Sequence, residues 1–154
     1  MIEVRPARAE EWQRCVDIHR AAWRGMTFVP QNLHSPAEDR VWMRERVFGR
    51  QYVLVAEIAG EVVGFLSMAE GMVNNLYVQP GFQNQGVGSA LLETAKASSA
   101  GSLRLWVFEP NKGAIRFYER HGFTLVKRTD GSQNEEKVPD RLMAWPSDTP
   151  KEDG

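Results

Sequence analysis

The sequence holds a single cysteine, Cys15, so no internal disulfide can form. No pair of Cys or His residues stands at zinc-ligand spacing, and no metal is expected. Apolar runs fall well short of the roughly 20 residues needed to span a bilayer, so no membrane partner is expected. Charge of one sign is also missing. Nineteen basic residues face 20 acidic ones for a formal net charge of -1, a balance that offers nothing to draw in nucleic acid. The start Met1-Ile2-Glu3-Val4-Arg5 lacks a signal-peptide pattern, which together with the lone thiol points to a cytoplasmic protein. Internal repeats, low-complexity blocks and Gly/Ser linkers are absent, so nothing divides the chain.

What is there suits one core: 154 residues, 42% of them hydrophobic. Residues 1–146 are expected to form a single domain, and residues 147–154, where apolar positions run out, a flexible tail. Ile2 to Pro6 reads as a strand. Ala9 to Trp23 reads as a helix, with Trp12, Cys15, Val16, His19 and Trp23 at helical spacing and mostly core. After an irregular stretch from Gly25 to His34, Ser35-Pro36-Ala37-Glu38 opens a second helix with a capping-box pattern and proline at its first position; this helix carries Val41, Trp42 and Val47. Tyr52 to Ala56 and Val62 to Leu66 flank a turn at Ala59-Gly60-Glu61 and read as a hairpin. Further along come a strand at Met72 to Val78, a helix at Gly86 to Ser98, a strand at Leu103 to Phe108 and a helix at Lys112 to His121 closed by Gly122. Two last strands lie at Phe123 to Lys127 and Arg141 to Trp145. Helices and strands alternate, with antiparallel pairs at both ends and a parallel crossover between them, which is an α/β fold on a mixed sheet.

The most informative segment runs from Leu76 through Gly81, Gly86 and Gly88 to Leu92: strand, tight loop, helix. Backbone N–H groups at a helix start have no intrahelical partner and feel the positive end of the dipole, so such a loop can hold a diphosphate without a lysine. Gly86 and Gly88 clear side chains from its approach, although Gly-x-Gly alone equally fits a tight turn. Gly-Lys-Ser/Thr of a nucleoside-triphosphate loop is absent, and so is the third glycine of a dinucleotide fingerprint.

Gln83-Asn84-Gln85-Gly86-Val87-Gly88 resembles the Q/R-x-x-G-x-G/A signature of the GNAT acetyltransferases. Asn111-Lys112-Gly113-Ala114-Ile115-Arg116-Phe117-Tyr118-Glu119-Arg120-His121-Gly122-Phe123 is similar to the second characteristic stretch of that family, an asparagine, a short helix bearing a tyrosine, then Gly-Phe. The order of elements resembles the family's from Ile2 to Trp145. The resemblance implies a central mixed, mostly antiparallel sheet of about six to seven strands with about four flanking helices. It also implies transfer of acetyl from acetyl-CoA to a primary amine by direct attack in a ternary complex. A small-molecule acceptor is the first expectation; the alternatives are acetylation of protein N-termini or lysines, or a non-catalytic acyl-CoA sensor. A homodimer is left open.

By that resemblance, the backbone of Leu76, Tyr77 and Val78 pairs with the pantetheine arm. Gln83, Asn84, Gln85, Gly86, Val87, Gly88 and Ser89 hold the diphosphate, and Asn111 bonds the cofactor, although Asn111 equally suits a helix cap. Tyr118 is the expected general acid, since a phenol keeps its proton at neutral pH and can give it to a thiolate leaving group; its other reading is a core tyrosine packed with Phe117 and Phe123. Trp23, His34, Asn75 and Glu135 are expected at the acceptor, and the acidic loop from Thr129 to Asp140, with Glu135 and Glu136, is either a solvated connection or the source of carboxylates that draw in a cationic amine. Many family members carry a carboxylate base on the strand before the loop. Asn74 and Asn75 stand there in this chain, so the base is unassigned, with Glu70, Glu109 and His34 as neighbouring candidates.

Overall fold

Short β-branched runs and glycine turns build the sheet. In the computed structural model, which describes residues 1–146, β1 (Ile2–Pro6) pairs antiparallel with β2 (Tyr52–Ile58), and β2 with β3 (Glu61–Ala69). Ala59 and Gly60 both take left-handed backbone, φ 52 and 80, the geometry a two-residue hairpin needs. β4 (Met72–Val78) follows antiparallel, then β5 (Leu103–Phe108) parallel to β4, and β7 (Asp140–Trp145) and β6 (Thr124–Thr129) complete the order β1-β2-β3-β4-β5-β7-β6. The expected tail, residues 147–154, lies outside the described residues.

Each face of this sheet carries its own core. On one side α3 (Val87–Ser98) and α4 (Lys112–Arg120) bury Leu91, Leu92, Ala95 and Ile115 against Leu66, Leu105 and Met143. On the other, α1 (Trp12–Arg24), preceded by a single 3₁₀ turn at Ala9–Glu11, buries Cys15, Val16 and Ile18 with Val55 and Phe65. α2 (Pro36–Val41) opens on Ser35, whose Oγ accepts from the Glu38 N–H while Glu38 accepts from the Ser35 N–H. Among the described residues no helix is long and apolar enough to cross a membrane.

The second helix departs from the sequence expectation. Beyond Val41 it widens into π-helix over Trp42–Val47, with the Phe48 N–H reaching the Met43 carbonyl at 2.9 Å. That wider turn shifts the helical phase, so Met43 and Val47 enter the core while Val41 is exposed and Trp42 and Arg46 turn toward a cavity.

Two irregularities position the site. Register between β3 and β4 steps from Ser67↔Asn75 to Met68↔Val73, leaving Asn74 as an extra residue, a β-bulge. After it, Leu76 and Val78 pack toward the α3/α4 core and Tyr77 toward the α1 core. The β4–β5 ladder then stops at once: its only partners are Met72↔Arg104 and Val73↔Leu105, and the strands part.

α3 reaches this gap by lying directly on β3 at Gly64, where a Cβ would come 2.9 Å from Val87 Cγ1, 3.2 Å from Leu91 Cδ1 and 3.2 Å from the Tyr77 carbonyl oxygen. Gly64→Ala is therefore expected to destabilise the fold by about 1–3 kcal/mol through overpacking. Urea unfolding checks this, and a midpoint equal to the parent's would show that the contact yields freely.

Candidate functional site

Two cavities flank the parted strands. The first, about 750 Å³, is lined by Leu76, Tyr77 and Val78 of β4, by Pro80, Phe82, Gln83, Asn84 and Gly86 of the loop, and by Val87, Gly88 and Ser89 of α3. Asn111, Phe117 and Tyr118 close its far wall. The second, about 760 Å³, is aromatic: His19 and Trp23 of α1, Trp42, Tyr77, Trp106 and Phe108 line it together with carboxylates from the β6–β7 loop. Tyr77 is the one residue common to both linings.

The loop cavity is shaped as the sequence requires. Gly86 caps α3 with φ 86, a left-handed conformation at which its missing Cβ removes the strain, and no side chain caps the helix N–H groups. A Cβ at Gly88 would stand 3.4 Å from Phe117 and 3.9 Å from Val78 Cγ2, ordinary contacts. Gln85 is the exception among the expected loop residues: its side chain donates back to the Gly81 carbonyl at 3.2 Å, and it does not line the cavity. Asn111 lines the cavity while its Oδ1 caps α4 by accepting from the Ala114 N–H at 3.2 Å. Tyr118 packs on Phe117 and Phe123, yet its hydroxyl has no hydrogen-bond partner among the described residues; burial pushes this phenol well above its ordinary range.

Trp23, His34, Asn75 and Glu135 all line the aromatic cavity. Trp23 Nε1 donates to the Pro30 carbonyl, and Gln31 Nε2 donates to the carbonyls of Trp23 and Met26, which ties the irregular stretch to the end of α1. Across the opening, His34 Nε2 stands 2.6 Å from Glu135 Oε1 and joins that stretch to the β6–β7 loop. Asn75 is buried and donates to Ser67 Oγ at 2.9 Å; Asn74 donates to Gln51 Oε1 at 3.1 Å. Of the neighbouring base candidates, Glu70 lines neither cavity. Glu109 is gripped by Arg141 at 2.9 and 2.8 Å and by Arg128 at 3.2 Å, and the Arg141 hydrogen bonds hold its carboxyl below the usual range, which makes it a poor proton acceptor. Cys15 is buried, its thiol pushed up to about 12 by desolvation, and lines neither cavity.

Sequence reasoning left several members of the aromatic cavity unassigned, His19 among them. His19 reads as core by periodicity, yet it faces Trp23, Trp42 and Tyr77 with ring centroids 5.7, 5.0 and 4.8 Å away. Glu136 stands in the acidic loop that the sequence already points to as a source of carboxylates for a cationic acceptor. It is half-buried in the lining, has no hydrogen bond or ion pair among the described residues, and its charge is felt by the Tyr77 phenol. No local signal marks His19 as a lining residue, because its placement comes from distant elements.

Comparison with known proteins agrees with this fold. A family model described as an acetyltransferase (GNAT) domain matches residues 49–125. The chain is similar to the peptidyl-lysine N-acetyltransferase YiaC of Escherichia coli, with 26% identity over 140 residues that cover 90% of this chain and 77% of YiaC. The peptidyl-lysine N-acetyltransferase YjaB of the same organism is 29% identical over 133 residues, 84% of this chain and 87% of YjaB. The apo solution structure of YjaB superposes with a TM-score of 0.77 at 24% identity, covering 94% of this chain and 97% of that one. YncA from Salmonella typhimurium, solved with its cofactor acetyl-CoA, gives a TM-score of 0.73 at 20% identity over 94% of this chain and 92% of YncA.

His19 also sets a pH dependence. Desolvation pushes its imidazolium down to about 4 from an ordinary 6.5, and its buried Nδ1 has no partner. The unfolded chain therefore takes up this proton first. The stability that neutral His19 permits is full above about pH 6.5 and is lost as pH falls toward about 4. Melting temperature is expected to fall between pH 6.5 and 5, and His19→Phe, which keeps the ring stack, should flatten that fall. Parallel curves for parent and variant would remove His19 as the cause.

Proposed function

The chain belongs to the GNAT acetyltransferase family and is an acetyl-CoA-dependent N-acetyltransferase, and from that premise we propose that it acetylates the side-chain amine of lysine in polypeptides. The observation that carries this reading is the parting of β4 and β5 after two residue pairs, with one cavity on each side of Tyr77.

The loop cavity suits the donor on its own geometry. Freed backbone groups on β4 beyond Val73 match an extended, amide-bearing arm, because such groups are costly when left unpaired. Uncapped N–H groups at the start of α3 match a diphosphate. When bound there, acetyl-CoA supplies a thioester activated toward amines. An N–H from residues 76–78 is then available to hold the carbonyl oxygen as negative charge develops on it.

The aromatic cavity suits an alkylammonium. Rings of Trp23, Trp42, Trp106 and Tyr77 offer faces that attract a cation and apolar walls for the aliphatic stem. Lysine arrives protonated, with an ordinary pKa near 10.4, and must lose that proton before attack. Glu136, half-buried, unpartnered and close enough to act on Tyr77, is the carboxylate suited to take it, directly or through one water. Glu135, paired with His34, serves to attract the cation instead. Tyr118 keeps its proton at neutral pH because burial disfavours the phenolate, and it gives that proton to the departing sulfur. The names of YiaC and YjaB favour the lysine acceptor. A small-molecule amine is the second reading, favoured by a cavity of about 760 Å³ that would enclose one.

Free-thiol release with lysine peptides beside polyamines, amino acids and aminoglycosides tests the acceptor. Turnover confined to the small amines would replace the first reading by the second, and no turnover with any would sink both. Tyr118→Phe is expected to lower kcat by about 10²- to 10⁴-fold with acetyl-CoA affinity kept. Unchanged turnover would end its role as the acid. Glu136→Gln should fall mainly on kcat, by about 10²-fold or more, whereas Glu135→Gln should raise KM for the amine and spare kcat. The reverse split would exchange the two assignments.

A further inference from the structure

One chain of side chains beside the loop cavity is not used by this mechanism. Ser89 Oγ lies 3.0 Å from His121 Nε2, and His121 Nδ1 lies 2.8 Å from Glu93 Oε2. Lys96 Nζ meets Glu93 Oε2 at 3.0 Å and also donates to the His121 carbonyl oxygen. Ser89 is the third residue of α3 and lines the loop cavity; His121 follows the last residue of α4 under the ring of Phe117, 4.8 Å away.

The direction of these hydrogen bonds follows from chemistry. Hydrogen bonds from His121 and Lys96 hold the Glu93 carboxyl below its usual range, so it is an acceptor at neutral pH and His121 Nδ1 must carry a proton. A neutral His121 therefore turns a bare Nε2 lone pair toward Ser89, and the hydroxyl gives its hydrogen to the ring. Ser89 then shows only lone pairs to the cavity, where they would repel the oxygens of a diphosphate. Protonation of Nε2 reverses the bond. The ring donates to Oγ, the hydroxyl hydrogen is free to point at a phosphate oxygen, and a positive charge stands behind it.

We propose that His121, acting through Ser89 and oriented by Glu93, is a positioning residue of the diphosphate site, and that a diphosphate binds there with uptake of one proton onto His121 Nε2. The inference rests on the donor reading of the loop cavity. Glu93 and Lys96 are the charged groups that face the ring from α3, and Arg120, its chain neighbour, lines the same cavity. The other two histidines, His19 and His34, line the aromatic cavity.

The probe is 3′-dephospho-coenzyme A, which keeps the diphosphate and lacks the phosphomonoester, a group that itself titrates near pH 6. Calorimetric titration of the parent at pH 7 in two buffers of different ionisation enthalpy should reveal net proton uptake, and the affinity should fall as pH rises, by up to about tenfold per unit. Pantetheine, without a diphosphate, should bind with no uptake. His121→Gln and Ser89→Ala should each abolish the uptake and level the pH profile. A bond that merely ties α3 to α4 would lower stability in these variants and leave the proton count alone. Binding by the parent without uptake, or uptake unchanged in both variants, overturns the relay while leaving the donor site intact. No binding of the probe at any pH removes the donor site and the relay together.

Discussion

Hydrogen bonding between β4 and β5 ends after Met72↔Arg104 and Val73↔Leu105, and everything else at the site answers to that early stop. Each backbone group left without a partner in a dry interior costs about 1–3 kcal/mol, so a gap of this kind persists only where water or a ligand can enter. The Asn74 bulge interrupts the pairing on one side of β4 just where the ladder ends on the other. Gly64 then lets α3 settle close enough for its uncapped N-terminus to overlook the opening. A single interruption of the sheet thus creates an edge strand in the middle of the molecule, where the solvent-exposed hazards of an ordinary edge do not apply.

Much of this architecture was legible in the sequence wherever the signal was local. β1, β4 and β5 have the bounds their apolar runs give, because strand periodicity and flanking turn residues act over a few positions. Ser35 and Glu38 form their capping box for the same reason. Local pattern fails where the deciding partner is distant. Glu109 looked available until Arg141, 32 residues away, took both its oxygens. Ser89 and His121, also 32 apart, meet only because α3 and α4 share a face of the sheet. The π-helical turn at Trp42–Val47 lies between these cases: its residues are ordinary helix formers, and the widening that turns Met43 inward depends on the core they pack into.

Net charge proved a weak guide to local electrostatics. The balance of 19 against 20 hides the detail that Glu38, Asp39, Glu135, Glu136 and Asp140 line the aromatic cavity against three arginines, Arg20, Arg24 and Arg46. Arg20 is bound to Asp39, while Glu136 has no partner among the described residues. Field strength at a site follows such unpaired groups in poorly solvated walls, and the whole-chain sum averages them away. On the proposed reading the donor needs no fixed cation in the loop, since backbone dipoles at the head of α3 supply the positive potential.

Tyr77 belongs to both cavities, and its ring is held edge-on by His19 at 4.8 Å and beside Phe65 at 5.9 Å. Under the proposed function, donor and acceptor would share this one wall, and their binding equilibria would be linked through it. Linkage of this kind is reciprocal: whatever factor an acceptor gains in affinity when the donor is seated, the donor must gain when the acceptor is seated. Because neighbouring rings clamp that wall, the two ligands can influence one another with little movement of the backbone, and the communication distance between them is the thickness of a single phenol.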